Sequence, residues 1–298
     1  MTPVRQVLRG TTHLVTRRCS ERRFFLKPSA RTAAIFLYAL ALAASRHGIL
    51  IHAYCVLSNH YHLLLTDPFA RLPDFQRDLN SLIAKATNAA LGRWDGFWER
   101  TSYSAVALVG SADVYDKFVY VLANPVAAGL VRRAAQWPGH WSDPRLIGAG
   151  PVTIQRPEGF FDEEGDMPAS VELQLTPPPG FEDDPSFVER LLESLREAEE
   201  SEAAKLAEEG RSFMGATAIR AQSFFARPAP GEPRRVLSPH LACRNKWKRI
   251  EALQRLVEFR DAYRQALTAW RNGMRSVLFP PGTWQMRVLH GALVAGTG

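Results

Sequence analysis

The stretch ILIHAYCVLSNHYHLLLT, residues 49–66, is what most constrains the fold of this chain. Residues 49–57 and 60–66 read as two apolar strands joined at a Ser58-Asn59 turn, a hairpin with little polar surface of its own. Strands of that kind need cover from amphipathic elements, and the flanking sequence supplies them. Residues 11–17, TTHLVTR, alternate as a strand and are followed by the basic turn RRCSERRFF. Ser29 to His47 carries apolar residues at helical spacing, with Gly48 as its stop. LPDFQRDLNSLIAKATNAALGR predicts a second helix, with Pro73 near its start and Gly92 past its end. SYSAVALV is a short strand, and SADVYDKFVYVLANP is a helix capped by Ser111 and stopped at Pro125. The order β-α-β-β-α-β-α predicts an α+β fold, a ferredoxin-like split βαβ domain with an antiparallel sheet and helices on one face.

The character of the chain changes near residue 150. We expect a domain over residues 1–148, a Pro, Gly and acid-rich linker over 149–184, and a mostly α-helical C-terminal extension over 185–298. Charge follows the same division. Residues 1–150 hold 18 Lys/Arg against 9 Asp/Glu, residues 151–210 hold 4 against 17, and residues 211–298 hold 15 against 4. Two basic blocks around an acidic one, in a chain of pI near 9.6, point to a nucleic-acid partner. The basic helix near the C-terminus could bind DNA or fold against the acidic helix at 185–210. Cys19, Cys55 and Cys243 are odd in number and far apart, which excludes a disulfide framework and a CxxC zinc site. The N-terminus lacks the apolar core of a signal peptide, and the run from Ala33 to Ala44 is too short to span a bilayer. A cytoplasmic protein with no membrane partner is the expectation.

His60 and His62 alternate with Tyr61, so a strand projects both imidazoles from one face. Two neutral imidazoles can offer lone pairs to a divalent metal; two polar residues on an exposed hairpin face would give the same pattern. A third ligand is available in YVLANP. Tyr120 and Asn124 share a helix face, and a carboxamide oxygen suits Mg²⁺ or Mn²⁺. Tyr120, one turn before Asn124, would then lie beside a bound phosphate. A phenol, with its usual pKa of roughly 10, is a poor nucleophile unless a cation stabilises its anion.

These residues resemble a known family. SNHYHLLL is similar to the histidine-hydrophobe-histidine motif of the HUH single-tyrosine transposases. YVLANPVAAGLV resembles the nucleophile helix of their REP-associated tyrosine transposase branch, and THLVTRRCSERRFFL resembles its first strand. The resemblance covers about residues 8–145, including QWPGHWSDP, and leaves 151–298 uncovered. It implies Tyr120 as nucleophile and His60, His62 and Asn124 as ligands of Mg²⁺ or Mn²⁺. The implied activity is cleavage and rejoining of single-stranded or hairpin DNA through a 5′-phosphotyrosine, by a monomer or homodimer. The family's middle residue is usually a plain hydrophobe, so Tyr61 requires that its ring pack and its hydroxyl find a partner.

Arg17, Arg18, Arg22 and Arg23 are candidate phosphate contacts, and Phe97, Trp98, Tyr103, Trp137 and Trp141 are candidate base-stacking residues, although for each single aromatic core packing is the favoured reading. Tyr54, Tyr103 and Tyr115 are rival nucleophiles without an amide or acid one helical turn on. His13 could face the same sheet surface as the histidine pair. Two other functional readings stay open: an inactive DNA- or hairpin-binding protein, and a metal-dependent nuclease that hydrolyses its substrate. No P-loop or convincing Ser-His-Asp pattern is present.

Overall fold

The computed structural model describes residues 4–101, 103–159, 161–162, 164–229 and 239–296. Its elements, in chain order, begin with β1 (Thr11–Arg18), α1 (Ala30–His47), β2 (Leu50–Leu57), β3 (His60–Asp67), α2 (Leu72–Ala90), β4 (Ser104–Leu108) and α3 (Ser111–Ala127). The sheet order β2-β3-β1-β4 is that of a split βαβ fold, antiparallel throughout, and a two-residue strand, β7 (Leu241–Ala242), extends it in parallel beyond β4.

Tyr61 marks one face of the sheet. It is fully buried, its ring packs edge-on against Phe36 of α1, and its hydroxyl lies 2.9 Å from Asn80 Oδ1 and 3.1 Å from Gln76 Oε1 of α2. The tyrosine at the motif's centre is thereby accommodated. Helices α1 and α2 cover this face. Helix α3 lies across the other, against β2 and β3. The sheet is thus sandwiched at its centre, and this accounts for the apolar character of both faces of the β2–β3 hairpin.

Helix α3 differs from expectation at both ends. It starts at Ser111, but Gly110 is the cap, its N–H donating to Asp113 Oδ2 at 3.0 Å. It also runs through Pro125. The proline removes one helical donor, yet the Ala128 N–H still bonds to the Asn124 carbonyl at 2.9 Å. After α3 the QWPGHWSDP segment returns along β2. Val56 N–H donates to His140 O, and Ser142 bonds to Tyr54 through backbone and hydroxyl. This strap covers what would otherwise be an open sheet edge.

The acid-rich segment after residue 150 is built into the fold. Strands β5 (Val152–Gln155) and β6 (Ser170–Leu173) pair as a hairpin against α1, and Leu173 and Leu175 are buried in the main core. The acidic helix α4 (Phe187–Glu208) lays Phe187, Leu191 and Leu195 on α3. Its Glu199 is buried, accepting from the Ala134 N–H at 2.7 Å and from Arg133 at 3.1 Å. Its main partner is therefore α3 and not the basic helix. A short α5 (Ala216–Ala221) follows. The basic helix α6 (Lys246–Arg271) is capped by Asn245 and buries only Phe259 and Ala266 among its described residues. With α7 (Trp284–His290) it encloses a small second core around Phe279 and Met286. No helix among the described residues is long and apolar enough to cross a membrane.

Candidate active site

Register alone fixes one side of the site. On β3, His60 pairs with Arg18 and His62 with Thr16 on β1, so these four side chains share the sheet face that α3 crosses. The two imidazoles stand edge-to-face with ring centroids 4.9 Å apart. Each is anchored through Nδ1. His60 Nδ1–H donates to Asn59 Oδ1 at 2.6 Å, and Thr16 Oγ1 sits 2.8 Å from His62 Nδ1, placed to accept its N–H. In the tautomer that carries its proton on Nδ1 and donates to these oxygens, each ring keeps the Nε2 lone pair. Metal-ligating histidines are commonly oriented by such partners.

Burial keeps both rings neutral. Desolvation pushes His62 down to about 3, with Arg18 adding to it, and holds His60 well below the usual imidazole range, reinforced by His62, Arg18 and Arg22. A neutral imidazole is the form that binds a metal.

Helix α3 supplies the other side. The Tyr120 ring is 5.4 Å from the His62 ring and nearly perpendicular to it. One turn on, Asn124 is buried, its side-chain amide close enough to act on the Tyr120 hydroxyl. Desolvation raises the Tyr120 pKa above 10, while the Asn124 amide and the charge of Arg18 act in the opposite direction. The Lys117 ammonium lies 5.3 Å from the ring centre of Tyr120. His60, His62, Tyr120 and Asn124 therefore occupy one site, shared between a strand and a helix far apart in sequence. Two imidazoles and a carboxamide are a suitable donor set for a divalent cation that retains open positions. Among the described residues no group of three or more His, Cys, Asp or Glu is placed to hold a metal ion, so the amide is what would complete a set of three here.

The other predicted residues separate. Arg18 is at the site, and Arg22 is near enough to act on His60. Arg17 is on the opposite sheet face, donating to the carbonyls of Thr101 and Glu99 and lying over Trp98. Arg23 pairs with Glu21 and donates to the Phe225 carbonyl. The aromatics are largely structural. Phe97 and Trp137 are buried, the Trp98, Trp137 and Trp141 indoles donate to the Asn80, Val56 and Leu122 carbonyls, and Tyr103 lies under Arg5. Tyr54 is buried and its phenol is pushed up to about 12, while Tyr115 bonds to Ser194. His13 pairs with Leu65, which places it on the α1–α2 face, away from the histidine pair. Thr16, Asn59 and Lys117 went unrecognised in the sequence. Asn59 could have been found from its position beside His60, but Thr16 depends on register and Lys117 on helix phase.

No family model and no curated protein matches this sequence. Among solved structures, the chain is similar to a REP-associated tyrosine transposase bound to a REP hairpin. That match has 19% identity over 58% of this chain and 99% of that chain, with a TM-score of 0.42. It is also similar to a transposase candidate from Deinococcus radiodurans R1, at 21% identity over 41% of this chain and 95% of that chain, with a TM-score of 0.30. The likeness is one of fold.

Proposed function

We propose that this protein is a metal-dependent DNA transposase or endonuclease of the single-tyrosine HUH class, acting on single-stranded or hairpin DNA. The observation that carries the reading is the meeting of His60, His62, Tyr120 and Asn124 in one site. A protein that only binds DNA needs none of these residues together.

His60 and His62 through Nε2, and Asn124 through its amide oxygen, would hold Mg²⁺ or Mn²⁺. Bound there, the cation would offset charge on a scissile phosphate and polarise it. Tyr120 attacks phosphorus, its oxygen forming the new bond as the bond to the 3′-oxygen breaks. The products are a 5′-phosphotyrosine and a 3′-hydroxyl, the phenolic proton being transferred overall to the leaving oxygen. One phosphoester replaces another, so rejoining to a second strand needs no nucleotide cofactor. Arg18 and Lys117 add positive charge around Tyr120, which favours both an approaching phosphate and the phenolate.

The test is incubation with single-stranded hairpin DNA, with Mn²⁺ and with chelator. A covalent protein–DNA species that survives denaturation, requires metal and disappears in Tyr120→Phe is expected. Strand cleavage without that species would instead identify a hydrolytic nuclease.

A further inference from the structure

A second group of cationic and imidazole side chains lies at the other end of the molecule's sheet, where α6 approaches the β4–β7 edge. His13 is buried on the α1–α2 face of β1, and neither ring nitrogen has a hydrogen-bond partner. On α6, Nε and Nη2 of Arg260 are likewise shielded from solvent and unpartnered. These two nitrogens form the side-on fork of a guanidinium, the edge that fits two oxygens of a single oxyanion. Arg5 and His240 complete the group. Arg5 stacks 4.1 Å from the centre of the Tyr103 ring and donates to the Tyr103 carbonyl. Its charge acts on both His13 and His240, and the charge of Arg260 acts on His240.

Leaving a guanidinium edge and an imidazole buried without partners is costly, so the compensating group needs identifying. The nearby carboxylates are committed elsewhere. Asp67 accepts from the N–H groups of Phe69, Arg71 and Leu72, Asp74 pairs with Arg77, and Glu251 pairs with Arg255. Among the described residues, none is paired with Arg5 or Arg260. Arg5, His13 and His240 line a cavity of about 250 Å³ together with Leu256 of α6, and Arg260, one helical turn beyond Leu256, borders a neighbouring cavity of about 690 Å³ that Val4, next to Arg5, also lines.

We infer that Arg5, His13, His240 and Arg260 form a phosphate-binding site at the junction of the sheet with helix α6. The guanidinium fork of Arg260 engages two phosphate oxygens, an imidazole N–H a third, and Arg5 supplies further positive charge. The unpartnered nitrogens are shielded from solvent, so the proposed site requires these side chains to turn toward the cavity when the anion binds. The phosphate is either free or borne by nucleic acid. The site lies on the sheet face opposite His62, so it stands or falls independently of the role assigned to Tyr120.

The experiment uses the full chain and compares inorganic phosphate with chloride at equal ionic strength, by thermal melting and calorimetry. A parallel arm compares a 5′-phosphorylated oligonucleotide with its unphosphorylated form. Phosphate-specific stabilisation of the wild type is expected. Affinity should weaken about tenfold or more in Arg260→Gln and be reduced in Arg260→Lys, which keeps the charge and loses the fork. Tyr120→Phe should bind phosphate as the wild type does. An Arg260-dependent response to the phosphorylated oligonucleotide alone would assign the phosphate to nucleic acid. No phosphate-specific response of the wild type in either arm overturns the site and leaves water as the partner of these groups. That arm needs no variant to fold.

Discussion

The rings of His62 and Tyr120 meet edge-to-face at 5.4 Å across the boundary between strand β3 and helix α3. Neither element could place its residue there alone. The strand sets the imidazole by register, and the helix delivers the phenol by crossing the sheet on the side that α1 and α2 leave uncovered.

Tyr120→Phe should therefore separate chemistry from structure. The residue is 43% exposed and the substitution removes only its hydroxyl, so stability should change by no more than about 1 kcal/mol. Formation of a covalent DNA adduct should cease altogether. Denaturing gels with labelled hairpin DNA, alongside a thermal melt, measure both. An adduct retained in Tyr120→Phe would place the nucleophile elsewhere.

Thr16 has a positioning role with its own signature. Thr16→Val keeps the shape of the side chain and removes the oxygen 2.8 Å from His62 Nδ1, leaving the imidazole free to turn or to change tautomer. The Mn²⁺ concentration giving half-maximal adduct should rise about 10- to 100-fold. Thr12→Val, which breaks the neighbouring Thr12–Thr66 hydroxyl contact of 2.8 Å, should lower stability comparably with no change in the Mn²⁺ requirement. Equal Mn²⁺ curves for the two variants would reduce Thr16 to a structural residue.

Much of this site was legible because it depends on periodicity. Alternation put His60 and His62 together, and helical spacing put Tyr120 with Asn124. The side of the sheet that α3 covers was not legible, because α3 buries Phe118, Val121, Leu122 and Asn124 around a wide arc and a chain with apolar strands accepts a helix on either face. Arg17 and Arg23 show a second gap. Their charge suggested phosphate contacts, but both meet intramolecular carbonyls or a carboxylate, and composition cannot distinguish the two uses. Strand β7 has only two residues and no pattern to read.

Stability should depend on pH through the buried histidines, those outside the candidate site as well as His60 and His62. Burial pushes His13 and His52 down to about 4 from the unperturbed value of 6.5. Between those values the unfolded chain binds protons that the folded chain does not, so stability falls as pH drops below 6.5 and the loss is complete near 4. Each histidine contributes up to about 1.4 kcal/mol per pH unit in that window. Melting in phosphate-free buffer should show a midpoint falling steadily from pH 6.5 to 4.5, and a shallower fall in His52→Gln. A flat wild-type profile would contradict the burial of these rings.

The segment over 149–184 reads by composition as a tether, yet its last part is anchored to the sheet. Leu175 is buried, the Thr176 N–H bonds to the Ile51 carbonyl at 3.0 Å, and His52 Nδ1 lies 2.8 Å from the Thr176 carbonyl. The Tyr38 hydroxyl also donates to the Pro168 carbonyl at 2.6 Å. Leu175→Ala should consequently cost about 2–4 kcal/mol, the range for emptying a leucine site in a packed core. Val152, in the same segment, is 47% exposed, and Val152→Ala should cost less than about 1 kcal/mol. Urea unfolding of the two variants decides the matter. If the segment were a tether, neither substitution would move the midpoint; if it belongs to the core, only Leu175→Ala will, with the slope of the transition unchanged.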